Sequence, residues 1–180
     1  KIDNMQFQNE MAAEELEKQS GNGLPSSNNT IISRNSSKEK KAIGVVAVVP
    51  GNGLAEIFTS LGVDVALYGG QTMNPSTEEL VQAVEEVSAD AVIILPNNKN
   101  VVFSAEQVKE FVDKRVEVVA TTTVPQGIAA MVGFAEHMDL EANLQAMQEE
   151  LAHVRSGEIT FAVRSTKTGE LNIEEQDYIG

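Results

Sequence analysis

The stretch Ile43-Gly44-Val45-Val46-Ala47-Val48-Val49-Pro50-Gly51-Asn52-Gly53 decides the fold, because an aliphatic run leads directly into a Pro/Gly turn. A short run this rich in valine is typical of a strand buried on both faces of a parallel sheet. The segment after the turn, 54–61, places Ile57, Phe58 and Leu61 on one side of a helix. Strand, turn and helix in this order form the repeating unit of α/β proteins.

The same unit recurs along most of the chain. Further strands are predicted at 63–68, 91–95 and 116–120, and further helices at 76–87, 104–114, 127–134 and 140–154. This repetition predicts an α/β fold, with a mainly parallel sheet and helices on both faces. Alternation at 159–164, a turn at 167–170 and a pairing segment at 171–173 add a C-terminal β-hairpin.

Two of these helices carry capping signals. The helix at 76–87 begins either with Ser76 as the cap and Glu79 three residues on, or with Asn74 as the cap and Pro75 at the first helical position. Ser104 and Gln107 predict a capping box for the helix at 104–114.

The first part of the chain differs in character from the rest. Residues 6–18 are compatible with a short charged helix, and 20–41 turn to Gly, Asn, Ser and Pro with almost no apolar periodicity, which is typical of a linker. We therefore predict two parts. Residues 1–41 are the end of a preceding domain and a flexible linker, and residues 42–180 are the α/β domain.

The charge balance restricts the class of partner. The net charge is −14, and the residues after position 40 carry 8 Lys/Arg against 21 Asp/Glu. Such a surface repels phosphate backbones and anionic lipid, so we expect no nucleic acid and no membrane insertion, and a basic partner is favoured. The sequence has no Cys, no long apolar segment and no signal-peptide pattern. We read it as a cytoplasmic protein without disulfides or thiolate metal sites.

Four polar segments are predicted to meet at one edge of the sheet, since ligands of open α/β sheets bind outside the carboxyl ends of the strands. The segments are 50–53, 71–76, 96–100 and 121–126. They consist mainly of amides and hydroxyls. The candidate ligand- or partner-binding residues are Asn52, Thr72, Asn74, Ser76, Asn97, Asn98, Lys99, Asn100 and Gln126.

These segments form hydrogen bonds but lack proton-transfer groups. They contain no His, Asp, Glu or Cys, and Lys99 is their only charge. We therefore predict a recognition surface with no catalytic residues. His137 and His153 lack companion ligands at metal spacing, so no metal site is predicted.

Each of these segments has to be weighed against a purely structural explanation. Gly51-Asn52-Gly53 is either a tight turn or a cradle of backbone N–H groups for an anion. Asn74-Pro75-Ser76 is either a helix cap alone or part of the binding surface. Three Asn around one Lys at 97–100 exceed what a turn requires, which favours contacts with a partner or ligand.

Three motifs, in order, carry a family resemblance that covers 42–180. They are Gly69-Gly70-Gln71-Thr72-Met73-Asn74-Pro75-Ser76-Thr77, Leu95-Pro96-Asn97-Asn98-Lys99-Asn100 and Val124-Pro125-Gln126-Gly127, and Ala162-Val163-Arg164 fits as well. The chain resembles the C-terminal domain of the large, ATP-binding subunit of bacterial fatty acid kinase, a dihydroxyacetone-kinase-like protein. Lys1-Ile2-Asp3-Asn4-Met5 resembles the tail of the middle domain, which implies that the chain is a segment of a longer protein.

The resemblance implies a fold and a role. In that family an N-terminal helical domain binds ATP and magnesium through clustered aspartates, and a fatty-acid-binding protein of the DegV type presents the acyl carboxylate for phosphorylation. The acyl-phosphate then feeds phospholipid synthesis. The C-terminal domain is expected to have a DegV-like fold and to dock the lipid-carrying partner. Further expected partners are the protein's own N-terminal kinase domain and, as a possible homodimer, a second copy.

Catalysis and cofactors do not carry over to this chain, because it has neither the aspartate cluster nor the helical domain. The turn at 72–76 is similar to the DegV loop that holds the acyl carboxylate but departs from it, so fatty acid binding is not carried over either. The leading hypothesis is a non-catalytic docking module of a fatty acid kinase. The alternative is a sensing domain for a carboxylate or phosphate metabolite that regulates a dihydroxyacetone-kinase-like enzyme.

Overall fold

A five-stranded sheet forms the centre of the molecule. In this computed structural model, which describes residues 31–33, 40–70, 73–162, 164–168 and 171–180, the strands are β1 (Ile31–Ser33), β2 (Lys41–Val49), β3 (Val65–Tyr68), β4 (Ala89–Leu95) and β5 (Arg115–Val118). Their order across the sheet is β1-β3-β2-β4-β5. Strands β2 to β5 are parallel, and β1 pairs antiparallel with β3. The predicted α/β class with a mainly parallel sheet is confirmed.

Helices cover both faces of the sheet. They are α1 (Asn52–Ser60), α2 (Thr77–Glu86), α3 (Val102–Gln107), which continues into a 3₁₀ turn at Val108–Glu110, α4 (Val124–Gly133) and α5 (Leu140–Leu151). Helices α1, α4 and α5 pack on one face, and α2 and α3 pack on the other. The prediction of helices on both faces of the sheet is confirmed.

The alternation of side chains along β2 explains how one strand serves two cores. Val45 and Val49 point to the face where Phe58 of α1 is buried, whereas Val46 and Val48 point to the face of Leu80 in α2. All these side chains are buried, and each large aliphatic or aromatic group stabilises the fold by about 1.5–3 kcal/mol.

The two capping predictions have opposite outcomes. Ser76 accepts a hydrogen bond from the backbone N–H of Glu79 at 3.2 Å, and the Glu79 carboxylate accepts one from the N–H of Ser76 at 2.7 Å. This is a capping box, so the alternative start at Asn74 is excluded. The capping box at Ser104 is wrong, because α3 already begins at Val102 and Ser104 lies inside it. The α-helix also ends at Gln107 instead of reaching residue 114.

The C-terminal segment contains the predicted hairpin, although one of its strands is different. Strand β7 (Thr166–Thr168) pairs antiparallel with β8 (Leu171–Ile173), so Lys167 and Thr168 belong to a strand and not to the predicted turn, whose other two residues, 169–170, lie outside the described residues. The segment expected to pair with β8 instead contributes β6 (Thr160–Phe161), which pairs with the last strand, β9 (Tyr178–Ile179). The rings of Phe161 and Tyr178 lie 4.6 Å apart between centroids, so a cross-strand aromatic contact favours this second pairing.

Strand β1 lies within the segment predicted as a linker. Ile31 is opposite Leu67, and Ser33 is opposite Val65. The outer edge of β3 offers unpaired N–H and C=O groups, and these bind an extra strand regardless of the polar sequence around it. The predicted domain boundary between residues 41 and 42 stays a prediction.

Candidate binding cleft at the carboxyl ends of the strands

The order of the strands creates a switch point in the sheet, where the connections that leave two neighbouring strands run to opposite sides. After β2 the chain passes through α1 to β3 on one side, and after β4 it passes through α3 to β5 on the other side. Strands β2 and β4 are neighbours, so a crevice opens outside their carboxyl ends. Open α/β sheets bind their ligands at such a switch point.

A cleft of about 490 Å³ lies at this end of the sheet. It is lined by Met73 after β3, by Asn97, Asn98 and Lys99 after β4, by Thr122, Thr123, Val124 and Pro125 at the start of α4, and by Ser156, Gly157 and Glu158 after α5. Its volume falls in the range of about 300–1,000 Å³ that is typical of small-molecule sites. Three of the four predicted polar segments thus contribute to the cleft, through Met73 of 71–76, through 97–99 and through 122–125, whereas 50–53 does not line it.

Asn97 fixes the floor of the cleft. Its side chain is 3% exposed. The Nδ2 group donates to the carbonyl of Val48 at 2.9 Å, and Oδ1 accepts from Thr121 Oγ1 at 2.8 Å. The backbone N–H of Asn97 also donates to Thr121 Oγ1, at 3.0 Å. Asn97 therefore joins the ends of β2 and β4 to the loop after β5, and its amide is committed to internal contacts.

The fit of Asn97 depends on Gly127 in α4. A Cβ atom on Gly127 would lie 2.0 Å from Asn97 Oδ1, so only glycine permits this approach of helix and loop. Asn97 has φ +54°, a left-handed conformation that Asn tolerates better than most residues. Two of the motif residues, Asn97 and Gly127, thus make one packing unit.

Asn98 and Gln126 hold the walls of the cleft. Asn98 Nδ2 donates to the carbonyl of Met73 at 3.0 Å, and Asn98 Oδ1 accepts from the N–H of Asn100 at 3.0 Å. Gln126 Oε1 accepts from the N–H and the hydroxyl of Thr122, at 2.7 and 2.9 Å. These bonds tie three neighbouring loops into fixed shapes.

The other predicted binding residues that the structure describes lie on the same rim but do not line the cleft. Asn52 is exposed at the start of α1, Asn74 is exposed in the loop before α2, and Asn100 is exposed before α3. Ser76 acts as the cap of α2. Thr72 lies outside the described residues. Of the predicted set, Asn97, Asn98 and Lys99 meet in the cleft, and their binding role stays a prediction.

The cleft contains one group that the sequence pattern did not single out. Ser156, Gly157 and Glu158 follow α5, and Ser156 Oγ lies 2.7 Å from Thr123 Oγ1. Glu158 is an exposed carboxylate, so Lys99 is not the only charge at the cleft. Only the packing of α5 beside α4 brings this segment to the strand ends, and no local signal in the sequence marks it.

The chemistry of the cleft is that of hydrogen bonding. Its described lining holds amides, hydroxyls, one ammonium group and one exposed carboxylate. Among the described residues, no three His, Cys, Asp or Glu side chains gather in a way that could hold a metal ion. None of the helices in the described ranges is long and apolar enough to cross a membrane.

Fold and cleft together define a doubly wound α/β domain with a polar cleft at the switch point of its sheet. Over residues 44–180 the chain matches the FakA-like C-terminal family of fatty acid kinase subunits, and it belongs to that family. This agrees with the resemblance carried by the motifs at 69–77, 95–100 and 124–127.

Relatives of the chain occur in Bacillus and Staphylococcus. It is similar to the protein YloV of Bacillus subtilis, with 44% identity over 141 residues, which is 78% of this chain and 26% of YloV. It is also similar to an uncharacterized protein of Staphylococcus saprophyticus, with 43% identity over 147 residues, covering 81% of this chain and 27% of that protein. An uncharacterized protein of Staphylococcus aureus is 39% identical over 136 residues, covering 76% of this chain and 25% of that protein. The chain spans about a quarter of the length of these curated relatives.

Proposed function

We propose that this domain is the non-catalytic docking module of a fatty acid kinase, and that it binds the fatty-acid-binding partner protein of the DegV type. The membership of residues 44–180 in the FakA-like C-terminal family is the observation that carries the proposal. In the whole protein, the docked partner would present its acyl carboxylate to an ATP-binding kinase domain, and acyl-phosphate would be made for phospholipid synthesis. A DegV-like fold, a cytoplasmic location, contact with the kinase domain and a homodimer belong to the same proposal.

The surface around the cleft suits a protein partner. The wall residues Ser156–Glu158 lead into Ile159, which is exposed, and then into β6, where Phe161 is exposed. Tyr178 of β9 packs against Phe161 and is itself 75% exposed. Aromatic side chains beside polar groups are the composition that protein interfaces favour. We refer to Phe161 and Tyr178 as the aromatic ribbon.

The proposal of a non-catalytic role rests on the side chains of the cleft. Asn98, Thr122, Thr123 and Ser156 exchange hydrogen bonds but do not take up protons near neutral pH. Lys99 and Glu158 are exposed. Among the described hydrogen bonds, neither side chain is joined to a hydroxyl of the cleft, as the base that activates a nucleophile would be. ATP and magnesium would bind to the kinase domain, since the described residues offer no carboxylate cluster for the metal.

Calorimetric titration of the domain with a purified, lipid-loaded DegV-type protein tests the proposal. We expect saturable binding that weakens at least about tenfold in Tyr178→Ser, because truncating an aromatic side chain of the ribbon removes much of the binding energy. Lys99→Ala at the mouth of the cleft should also weaken binding. Asn97 is unsuitable for this test, since its side chain supports the fold.

Two matched variants control for general surface effects. Val132→Ser removes an exposed apolar side chain from α4, and Lys40→Ala removes an exposed lysine at the amino end of β2, opposite the cleft. Both should bind like the wild type. The proposal fails if an active partner shows neither heat nor co-elution with the wild-type domain, or if the two controls weaken binding as much as Tyr178→Ser does.

A second candidate function is supported by the volume of the cleft. A sensor for a small carboxylate or phosphate metabolite would use Lys99 as the counter-charge and the hydroxyls of Thr122, Thr123 and Ser156 as hydrogen-bond partners. Thermal shift assays with acetate, fatty acids, acetyl phosphate and inorganic phosphate would test it. A rise in Tm that is lost in Lys99→Ala favours the sensor, and no shift with any of these ligands excludes it for this set.

A further inference from the structure

A second surface with the properties of a binding site lies on the face of α2 and α3, where it shares no residue with the cleft. It is a groove of about 510 Å³ lined by Thr77, Glu78, Val81, Gln82, Gln107 and Phe111. We refer to it as the α2–α3 groove. Its walls are the outer sides of α2 and of α3 with the 3₁₀ turn that follows.

Large apolar side chains are exposed at the groove. Phe111 lines the groove and is 63% exposed, whereas Phe103, which is 73% exposed, lies outside the lining, one turn before Gln107 on α3. Two phenylalanines this open within residues 103–111 exceed the scattered apolar residues that surfaces normally carry. Val81 is half-buried and supplies an apolar base, because it packs on the core beneath α2.

The charges beside the groove are acidic. Glu78 lines it and Glu110 precedes Phe111, and both are exposed. Within the part of the chain that the structure describes, neither carboxylate has an ion-pair partner. The nearby lysines are engaged elsewhere. Lys109 binds Glu106 at 2.7 Å, and this hydrogen bond raises the pKa of Lys109 above its ordinary value.

Lys114, at the carboxyl end of α2, does not contribute an available positive charge. Its Nζ donates to the carbonyls of Val84, Glu85 and Val87 at 2.9–3.0 Å, where α2 ends, and lies 3.6 Å from the Glu85 carboxylate. A cation at the end of a helix is stabilised by the helix dipole and the last carbonyls. The available charge at the groove is therefore negative.

From this geometry we infer that the α2–α3 groove binds an amphipathic helix with a basic flank from a partner protein. Phenylalanines spaced over two turns suit the i, i+3/i+4, i+7 anchors of a helix laid in a groove. Lys or Arg beside those anchors would face Glu78 and Glu110. A second copy of this chain is a poor occupant, because a self-complementary contact would place these carboxylates against those of the other copy. An anionic bilayer is repelled for the same reason.

Fluorescence anisotropy with labelled synthetic peptides tests the inference. The probe is an 18-residue helix of Leu anchors with Lys flanks (about 27 Å long). The controls are a scrambled peptide of the same composition and the same helix with Glu in place of Lys. We expect the Lys helix to bind at least about tenfold tighter than either control, with an affinity that falls as salt rises. Phe111→Ser should weaken binding at least about tenfold.

Charge reversal separates this inference from non-specific stickiness. E78K together with E110K should transfer the preference to the Glu helix. Val132→Ser, on the opposite face of the sheet, and Lys99→Ala, in the cleft, should leave peptide affinity unchanged. The inference is overturned if the scrambled peptide binds equally well, or if Phe111→Ser has no effect. It is also overturned if sedimentation shows a dimer that Phe111→Ser dissolves, since a second copy would then be the occupant.

Discussion

At the scale of single residues, Asn97 shows how one side chain organises the switch point of the sheet. It reaches from the end of β4 to the carbonyl of Val48 and to the hydroxyl of Thr121. Because these partners are buried, each loses a buried hydrogen bond when the side chain of Asn97 is removed. The position accordingly favours Asn both for its amide and for its tolerance of positive φ.

We expect Asn97→Ala to lower the free energy of unfolding by about 2–4 kcal/mol, since two buried groups lose their partner. Gly127→Ala should cost about 1–3 kcal/mol, because its Cβ would lie 2.0 Å from Asn97 Oδ1. The double variant should cost clearly less than the sum, as the side chain that meets the new Cβ is gone. Urea unfolding of the four proteins measures this coupling. Additive losses of stability would contradict this coupling. As a control, Asn100→Ala, at an exposed position, should change the free energy of unfolding little.

At the scale of elements, the starts of α2 and α3 provide a matched pair of serines, one at the cap and one inside the helix. Ser76 caps α2 through the Glu79 N–H, whereas Ser104 lies inside α3. Ser76→Ala should destabilise the domain by about 1 kcal/mol. Ser104→Ala should be neutral or slightly stabilising, because alanine is the better residue inside a helix. Hydrogen exchange at the Glu79 amide should accelerate only in Ser76→Ala, and equal effects of the two changes would refute the assignment of the caps.

The same elements show what the sequence could predict and where it was insufficient. Strand β2 is predictable because burial on both faces requires a continuous aliphatic run. The early start of α3 at Val102 is not predictable from the sequence. Val101, at the cap position, makes no side-chain cap bond and is not a residue type that marks the start of a helix. Strand β1 is missed for a different reason. Its position is set by the open edge of β3, more than 30 residues away along the chain.

The candidate site also shows which residues could be predicted from the sequence and which could not. Asn97 and Asn98 were found because three Asn around a Lys exceed the needs of a turn. The internal role of Asn97 could not be foreseen, as its partners Val48 and Thr121 lie 49 and 24 residues away. Residues 156–158 reach the cleft only through the packing of α5 on α4, so the sequence gives no indication of them.

At the scale of the whole molecule, one partly buried ion pair stands apart from the exposed ones. Lys41 Nζ lies 2.7 Å from Asp64 Oδ1, and the Asp64 side chain is 8% exposed. Asp64 Oδ2 also accepts from the N–H of Val45 at 2.9 Å. Burial by itself lowers the pKa of Lys41, but the hydrogen bond and charge of Asp64, with a smaller contribution from Glu136, outweigh it and raise that pKa above its ordinary value of 10.5.

This pair predicts a specific dependence of stability on pH. A lysine whose pKa is raised by folding contributes its full stabilisation below its pKa in the unfolded chain, and the contribution disappears as pH rises through its pKa in the folded protein. Lys41→Met should therefore cost about 2 kcal/mol from pH 7 to pH 10, and the difference from the wild type should shrink above pH 10.5. Urea unfolding over this pH series measures it. Lys40→Met, which removes an exposed partner of Asp90, should cost at most about 0.5 kcal/mol throughout, and a Lys41 cost that does not fall at all as the pH rises above 10.5 would argue against the pair.

The antiparallel strand β1 also governs how copies of the molecule avoid joining sheet to sheet. It covers Val65–Leu67, a row of Val, Ala and Leu that would otherwise template the addition of another chain. On the far side, β5 is short and carries Arg115 and Glu117, whose charges discourage such stacking. A version shortened to begin at Lys40 is accordingly expected to polymerise into fibrils that bind thioflavin T, while the longer chain stays dispersed.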